Sequence, residues 1–199
     1  MDILNKIREK KYSELLTDNG AIQFQDVGSI YKGKLIFMSK YLHTVFPALK
    51  HEDYLAFINE LGININESLK TFLTEHNGLD LFSGSIAVYG FGRVRVNGVY
   101  LTSRNPYKPL PFHMYDENNG KINSRMLKIG SVCEKPLYID NETGVITLGE
   151  KDKLMAWKCL NDCLDDLYCK VGEYYDDNGL CKNPVIIKNY CFNKLKEIM

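Results

Sequence analysis

Residues 66–101 read NESLKTFLTEHNGLDLFSGSIAVYGFGRVRVNGVYL, and the fold class turns on them. Leu69, Phe72 and Leu73 recur at the three-and-four spacing of a helix with one apolar stripe. Asn66 stands where a side-chain oxygen can accept a free amide of the first turn, and Glu67 sits favourably at the positive helix end. Asn77-Gly78 closes the helix, since both residue types tolerate the left-handed backbone of a helix exit. His76, in the last turn, reads as a residue favoured by the helix dipole rather than as a base. A strand follows at Ser85-Ile86-Ala87-Val88-Tyr89, and Arg93-Val94-Arg95-Val96 runs through Asn97-Gly98 into Val99-Tyr100-Leu101. Both turn residues accept positive φ, which makes this the strongest hairpin signal in the chain. Alternation sets Arg93 and Arg95 on one face and Val94 and Val96 on the other, so one face of the hairpin is solvated.

Upstream, Tyr54, Leu55, Ile58 and Leu61 predict a helix from His51 that ends at Gly62. Ile3, Leu4, Ile7, Leu15 and Leu16 predict an amphipathic helix over 2–16, stopped by Asp18-Asn19-Gly20, with Arg8-Glu9-Lys10-Lys11 as a solvated face. Residues 21–47 hold two strand candidates, at Ile22 and Phe24 and at Leu35-Ile36-Phe37-Met38, with Gly28 and Gly33 as breaks. Downstream, Asn105-Pro106-Tyr107-Lys108-Pro109-Leu110-Pro111 predicts an extended surface loop, because its prolines forbid regular pairing. Leu127 to Val132, Leu137 to Ile139 and, across Asn141-Glu142-Thr143-Gly144, Val145 to Leu148 predict a meander of mostly antiparallel strands.

Leu154, Trp157, Leu160, Leu164, Leu167 and Val171 then predict one helix over 152–171, ended by Gly172. Trp157 reads as the core anchor that pins this helix to the sheet. Asp176-Asp177-Asn178-Gly179 predicts a turn, and Tyr190 to Ile198 a last short helix packed outside. The chain thus divides into an N-terminal accessory segment, 1–47, a core domain, 48–172, and a C-terminal tail, 173–199, packing on the core.

At 199 residues the chain suits one domain with a modest appendage, and folding buries roughly 70% of the surface the unfolded chain exposes. The 25 Lys+Arg balance 25 Asp+Glu to a formal net charge of +0, which excludes a globally basic nucleic-acid binder and a globally acidic mimic of one. Charges interrupt the apolar residues of MDILNKIREKKYSELL, so no signal peptide is expected. No apolar run approaches the roughly 18 residues of a membrane span, and a cytoplasmic protein is expected. The six cysteines, at 133, 159, 163, 169, 181 and 191, then read as small buried hydrophobes. Asn66 and Asn141 begin N-x-S/T triplets that carry no meaning as glycosylation sites in that compartment.

Motifs for catalysis are missing. Gly90-Phe91-Gly92 follows a strand, but Arg95 stands where a dinucleotide loop needs its third glycine, and a strand replaces the required helix. The chain has no phosphate-loop, zinc-protease or nucleophile-elbow pattern. Its histidines, at 43, 51, 76 and 113, lack metal-ligand spacing, and Cys159 and Cys163 lack a second ligand pair. Asp116-Glu117-Asn118-Asn119-Gly120 lacks the ligand periodicity of a calcium loop and reads as a turn. A cysteine-dependent enzyme would rest on Cys133 or Cys159, around which no nucleophile signature stands. The expectation is a non-enzymatic protein with no cofactor and no metal.

Acids gather late: Asp162, Asp165 and Asp166 share the predicted long helix, and Glu173, Asp176 and Asp177 follow it. They read as a solvated face, or as a negative patch that docks a basic protein and steers it even at zero net charge. The candidate partner-binding residues are therefore Asp162, Asp165 and Asp166, with Arg93 and Arg95 of the hairpin.

Glu60-Leu61-Gly62, Leu69-Lys70-Thr71-Phe72-Leu73, His76-Asn77-Gly78, Leu81-Phe82-Ser83-Gly84-Ser85-Ile86 and Tyr89-Gly90 together resemble the SUKH superfamily. The pattern extends to the strand pair Tyr138-Ile139-Asp140 and Gly144-Val145-Ile146 and to a helix from Trp157 to Tyr168, covering Leu49 to Tyr168. Two departures stand out: Asn64-Ile65-Asn66 replaces a stretch where proline is common, and the first 47 residues and the tail after Gly172 extend beyond the shared core. The resemblance implies an α+β fold, a mostly antiparallel sheet with helices packed on it, and a binding role without catalysis. It implies a bacterial immunity protein that binds and neutralises a cognate polymorphic toxin in the cytoplasm, or alternatively a cytoplasmic regulatory scaffold of cell-wall synthesis or signalling. The partner so implied is a protein, not nucleic acid or a membrane, and the oligomeric state is left open. Asn77-Gly78 carries over as a fold determinant, not a site.

Overall fold

The computed structural model describes residues 3–18, 20–26, 29–31, 34–36, 41–62, 64–91, 93–96, 99–102, 125–133, 135–149, 155–179 and 181–182. The chain runs α1 (Ile3–Glu9), β1 (Glu14–Leu16), β2 (Ile22–Asp26), β3 (Ser29–Tyr31), β4 (Lys34–Ile36), β5 (Tyr41–Val45), α2 (His51–Leu61) and α3 (Glu67–Glu75). It continues through β6 (Leu79–Leu81), β7 (Ile86–Val88), β8 (Arg93–Val96), β9 (Val99–Thr102), β10 (Met126–Val132), β11 (Lys135–Asp140), β12 (Ile146–Leu148) and β13 (Met155–Trp157) to α4 (Leu160–Gly172). Among the described residues nine strands form one sheet in the order β1-β2-β5-β6-β7-β10-β11-β12-β13, and every neighbouring pair is antiparallel. Strands enter this sheet in chain order. It is a long meander from which the hairpins β3-β4 and β8-β9 depart, and the expected α+β class holds.

Local chemistry sets the helices that lead into the sheet. The Asn66 Oδ1 accepts the Ser68 N–H at 2.9 Å and caps α3. Gly62 ends α2 at φ +66°, its N–H donating to the Ile58 carbonyl at 2.9 Å. Leu69, Phe72 and Leu73 are buried as their spacing requires, and they join Ile3 and Ile7 of α1, Leu160, Leu164 and Leu167 of α4 and the inward residues of the strands in one core. A register shift in β10 between Lys128 and Gly130 is a bulge, and a Cβ at Gly130 would collide with the Ala87 carbonyl on β7.

Two expected helices are shorter in the folded chain. The one expected over 2–16 stops at Glu9, Lys11 turns the chain at φ +55°, and residues 14–16 become β1. Burying Ile3 and Ile7 needs only that much helix, and residues 14–16 instead gain a ladder with β2, leaving Leu15 50% and Leu16 69% exposed. The helix expected over 152–171 starts only at Leu160. Met155 to Trp157 pair with β12 instead, Ile146 opposite Trp157 and Leu148 opposite Met155. Trp157 still ties helix to sheet, but from the strand side: half-buried, it packs on the core and its indole N–H donates to the Asp166 carboxylate at 2.9 Å.

β1, β2 and β5 belong to the main sheet, so the first 47 residues contribute to the same core as the rest. The Asn97-Gly98 turn, the Asp116–Gly120 turn, the proline-bearing loop at 105–111, Cys191 and the helix expected from Tyr190 lie outside the described residues.

Candidate functional site

The joint between α3 and the sheet is built from the His76-Asn77-Gly78 and Tyr89-Gly90-Phe91 segments. The buried Asn77 amide bridges the backbone of Phe91: the Phe91 N–H donates to Asn77 Oδ1 at 2.6 Å, and Asn77 Nδ2 donates to the Phe91 carbonyl. Gly78 takes φ +97°, and a Cβ at Gly90 would overlap the Asn77 carbonyl. This side-chain amide therefore does the work of a missing strand pairing. All of its polar groups are committed to backbone, which makes the segment a fold determinant.

The acids of α4 are brought to one side of the helix but not left alike. Asp165 pairs with Lys6 of α1 at 2.8 Å. Asp166 accepts from Trp157 Nε1 at 2.9 Å and from Lys170 Nζ at 2.7 Å, where a cation four residues on is well placed. Asp162 is exposed at the first turn, and Glu173 is exposed just beyond the last. Two of the three candidate aspartates thus hold α4 against α1 and β13, and Asp162 is the one that faces solvent. Arg93 and Arg95 stand at alternate positions of β8, opposite Thr102 and Tyr100 of β9, in a hairpin separate from the main sheet.

A cluster that spacing does not reveal surrounds His43. The imidazole is fully buried on β5, edge-on to Phe82 at 4.7 Å between ring centres and tilted against Tyr12 and Tyr168 at 5.6 Å each. Its Nδ1 accepts the Phe82 N–H at 3.3 Å, so the ring proton sits on Nε2, which has no hydrogen-bond partner among the described residues. Burial drives the His43 pKa down to about 3 and raises that of the Tyr168 phenol. Phe82 and Ser83 both have positive φ, at 50° and 56°, and this tight turn is tied down by Ser83 N–H to the Leu42 carbonyl and by the Tyr175 hydroxyl to the Phe82 carbonyl. The Phe82-Ser83-Gly84 turn is a sequence signal for that backbone; nothing in sequence marks His43, because its ring neighbours, Tyr12, Phe82 and Tyr168, come from three distant segments.

Burial pushes the Cys163 thiol well up, with Asp166 and Cys159 adding to the effect, so it stays protonated. Cys163 is buried and Cys133, Cys159 and Cys181 are partly so, as small hydrophobes would be; Cys169 is exposed on α4. Among the described residues no group of three or more His, Cys, Asp or Glu is arranged to hold a metal ion, and no helix is long and apolar enough to cross a membrane. Comparison with protein-family models, with curated proteins and with solved structures finds no match to this chain.

Proposed function

We propose that this protein is a non-enzymatic binding protein, an immunity protein of the SUKH kind that occludes a cognate toxin in the cytoplasm. The observation that carries the reading is the joint between α3 and the sheet: two of the segments on which the resemblance rests, Asn77-Gly78 and Tyr89-Gly90, meet there as packing and hydrogen-bonding pieces. A motif used up in building the fold leaves function to the surface. The surface available to a basic toxin is the outer side of α4, where Asp162 and Glu173 are exposed while Asp165 and Asp166 hold the helix in place.

Co-expression with the toxin encoded beside this gene tests the proposal. Growth rescue and a complex that survives purification are expected. Asp162→Lys, which reverses an exposed charge, should slow association about tenfold at low salt, with little change in the dissociation rate. Failure of both rescue and complex formation overturns the proposal; normal association by the Asp162 variant overturns the assignment of the surface.

A further inference from the structure

Among the described residues the sheet ends on one side at β1, whose side chains are all exposed. The Ser13 carbonyl accepts the Gln25 N–H at 2.8 Å and the Thr17 N–H donates to the Ala21 carbonyl at 2.9 Å, so residues 13, 15 and 17 make the bonds to β2. By the alternation of an antiparallel ladder, the N–H and C=O groups of Glu14 and Leu16 point outward. An outer edge of this kind is a template for another strand. It also carries exposed leucine on both faces, Leu15 at 50% and Leu16 at 69%.

The two ends of the edge bear opposite charge. Lys10 and Lys11 precede the strand and Asp18 follows it, all exposed, while Glu14 in the middle is closed by the Arg8 guanidinium at 2.7 Å and 3.1 Å. A strand of the same sequence running antiparallel brings Lys10 and Lys11 of one copy towards Asp18 of the other, at both ends of the seam by symmetry. Centred on Leu15, the pairing sets Leu15 against itself and Glu14 against Leu16, whose outward backbone groups then exchange hydrogen bonds. The formal net charge of +0 leaves no bulk repulsion between copies. We propose that β1 pairs with β1 of a second copy of this chain across a two-fold axis, joining the two sheets into one.

Sedimentation velocity of the full chain over a micromolar concentration series tests this, and a reversible dimer, weakened by raised salt, is expected. Leu16→Pro removes an outward N–H that β2 does not use, so it should weaken the dimer at least about tenfold while the monomer keeps its far-UV spectrum. Should the proline variant fail to melt cooperatively, the double variant Leu15→Lys with Leu16→Lys, which changes only exposed side chains, must abolish the dimer instead. A wild-type chain that stays monomeric throughout the series overturns the proposal. So does a dimer that persists in whichever folded edge variant is measured.

Discussion

His43 shows how one buried side chain couples stability to acidity. The native state holds the imidazole neutral, with a pKa of about 3, whereas an unfolded chain titrates it near 6.5. Above pH 6.5 neither state binds the proton and the group is silent. As the pH falls from 6.5 towards 3, the unfolded chain takes up a proton that the native chain refuses, and stability declines. The slope is about 1.4 kcal/mol per pH unit, so moving from neutral pH to pH 5 should cost about 2 kcal/mol. Urea unfolding at the two pH values reads this directly. His43→Phe keeps a ring against Phe82, Tyr12 and Tyr168 and should flatten the dependence, at the cost of the acceptor that now serves the Phe82 N–H. An unchanged slope in that variant would show that the acid sensitivity arises elsewhere.

Elements are joined by contacts that bridge long stretches of chain, and the link between α3 and the β11–β12 turn is the clearest. Asn66, the cap of α3, donates its N–H to Asn141 Oδ1 at 2.6 Å, and Asn141 Nδ2 donates to the Asn64 carbonyl at 2.6 Å. Gly144 lies so near Asn66 that a Cβ there would stand 3.1 Å from its amide oxygen. Asn141→Ala leaves a donor and an acceptor without their partners and should cost about 1–3 kcal/mol in urea unfolding. Because the two asparagines share one network, combining this change with Asn66→Ala should cost less than the sum of the single changes; simple additivity would mean the link carries no coupling. Both residues begin N-x-S/T triplets in the sequence, and neither the link nor its partners could be read there, since the contact spans 75 residues. What could be read was local: the cap at Asn66, the stop at Gly62, the β8-β9 hairpin and the strand character of β10 and β11 each depend on neighbours a few residues away. The start of α4 depends instead on β12, which takes Met155 to Trp157 as a strand although their apolar spacing also suits a helix. For the same reason the acids of α4 were visible as residues, while their division into structural and exposed ones was set by Lys6, Trp157 and Lys170.

At the scale of the molecule, a sheet whose strands follow chain order ties each segment to the next in sequence, so the division at residue 47 can be tested as a physical boundary. Sequence reading treats 1–47 as accessory, yet β5 pairs with β6 through Thr44 and Asp80 and through Val45 and Leu79. Ile3, Ile7, Phe24, Leu42, Val45 and Phe46 are each at most 5% exposed. At about 1.5–3 kcal/mol for each large apolar side chain buried, these residues together are worth as much as the whole net stability of a typical domain, about 5–15 kcal/mol. Removing them would also strip β6 of its neighbour and open the Leu79 and Leu81 edge to other chains. A chain limited to residues 48–199 should therefore lack a cooperative thermal transition, lose its near-UV circular dichroism and aggregate at concentrations where the full chain is soluble. A sharp melt and an intact near-UV spectrum in that fragment would instead establish 1–47 as an appendage and place the folding unit wholly downstream. The full chain is the reference in the same buffer, and limited proteolysis distinguishes the two outcomes independently: if the sheet is one cooperative unit, cleavage near residue 47 is slow in the native chain, and once made it leaves no protected downstream core.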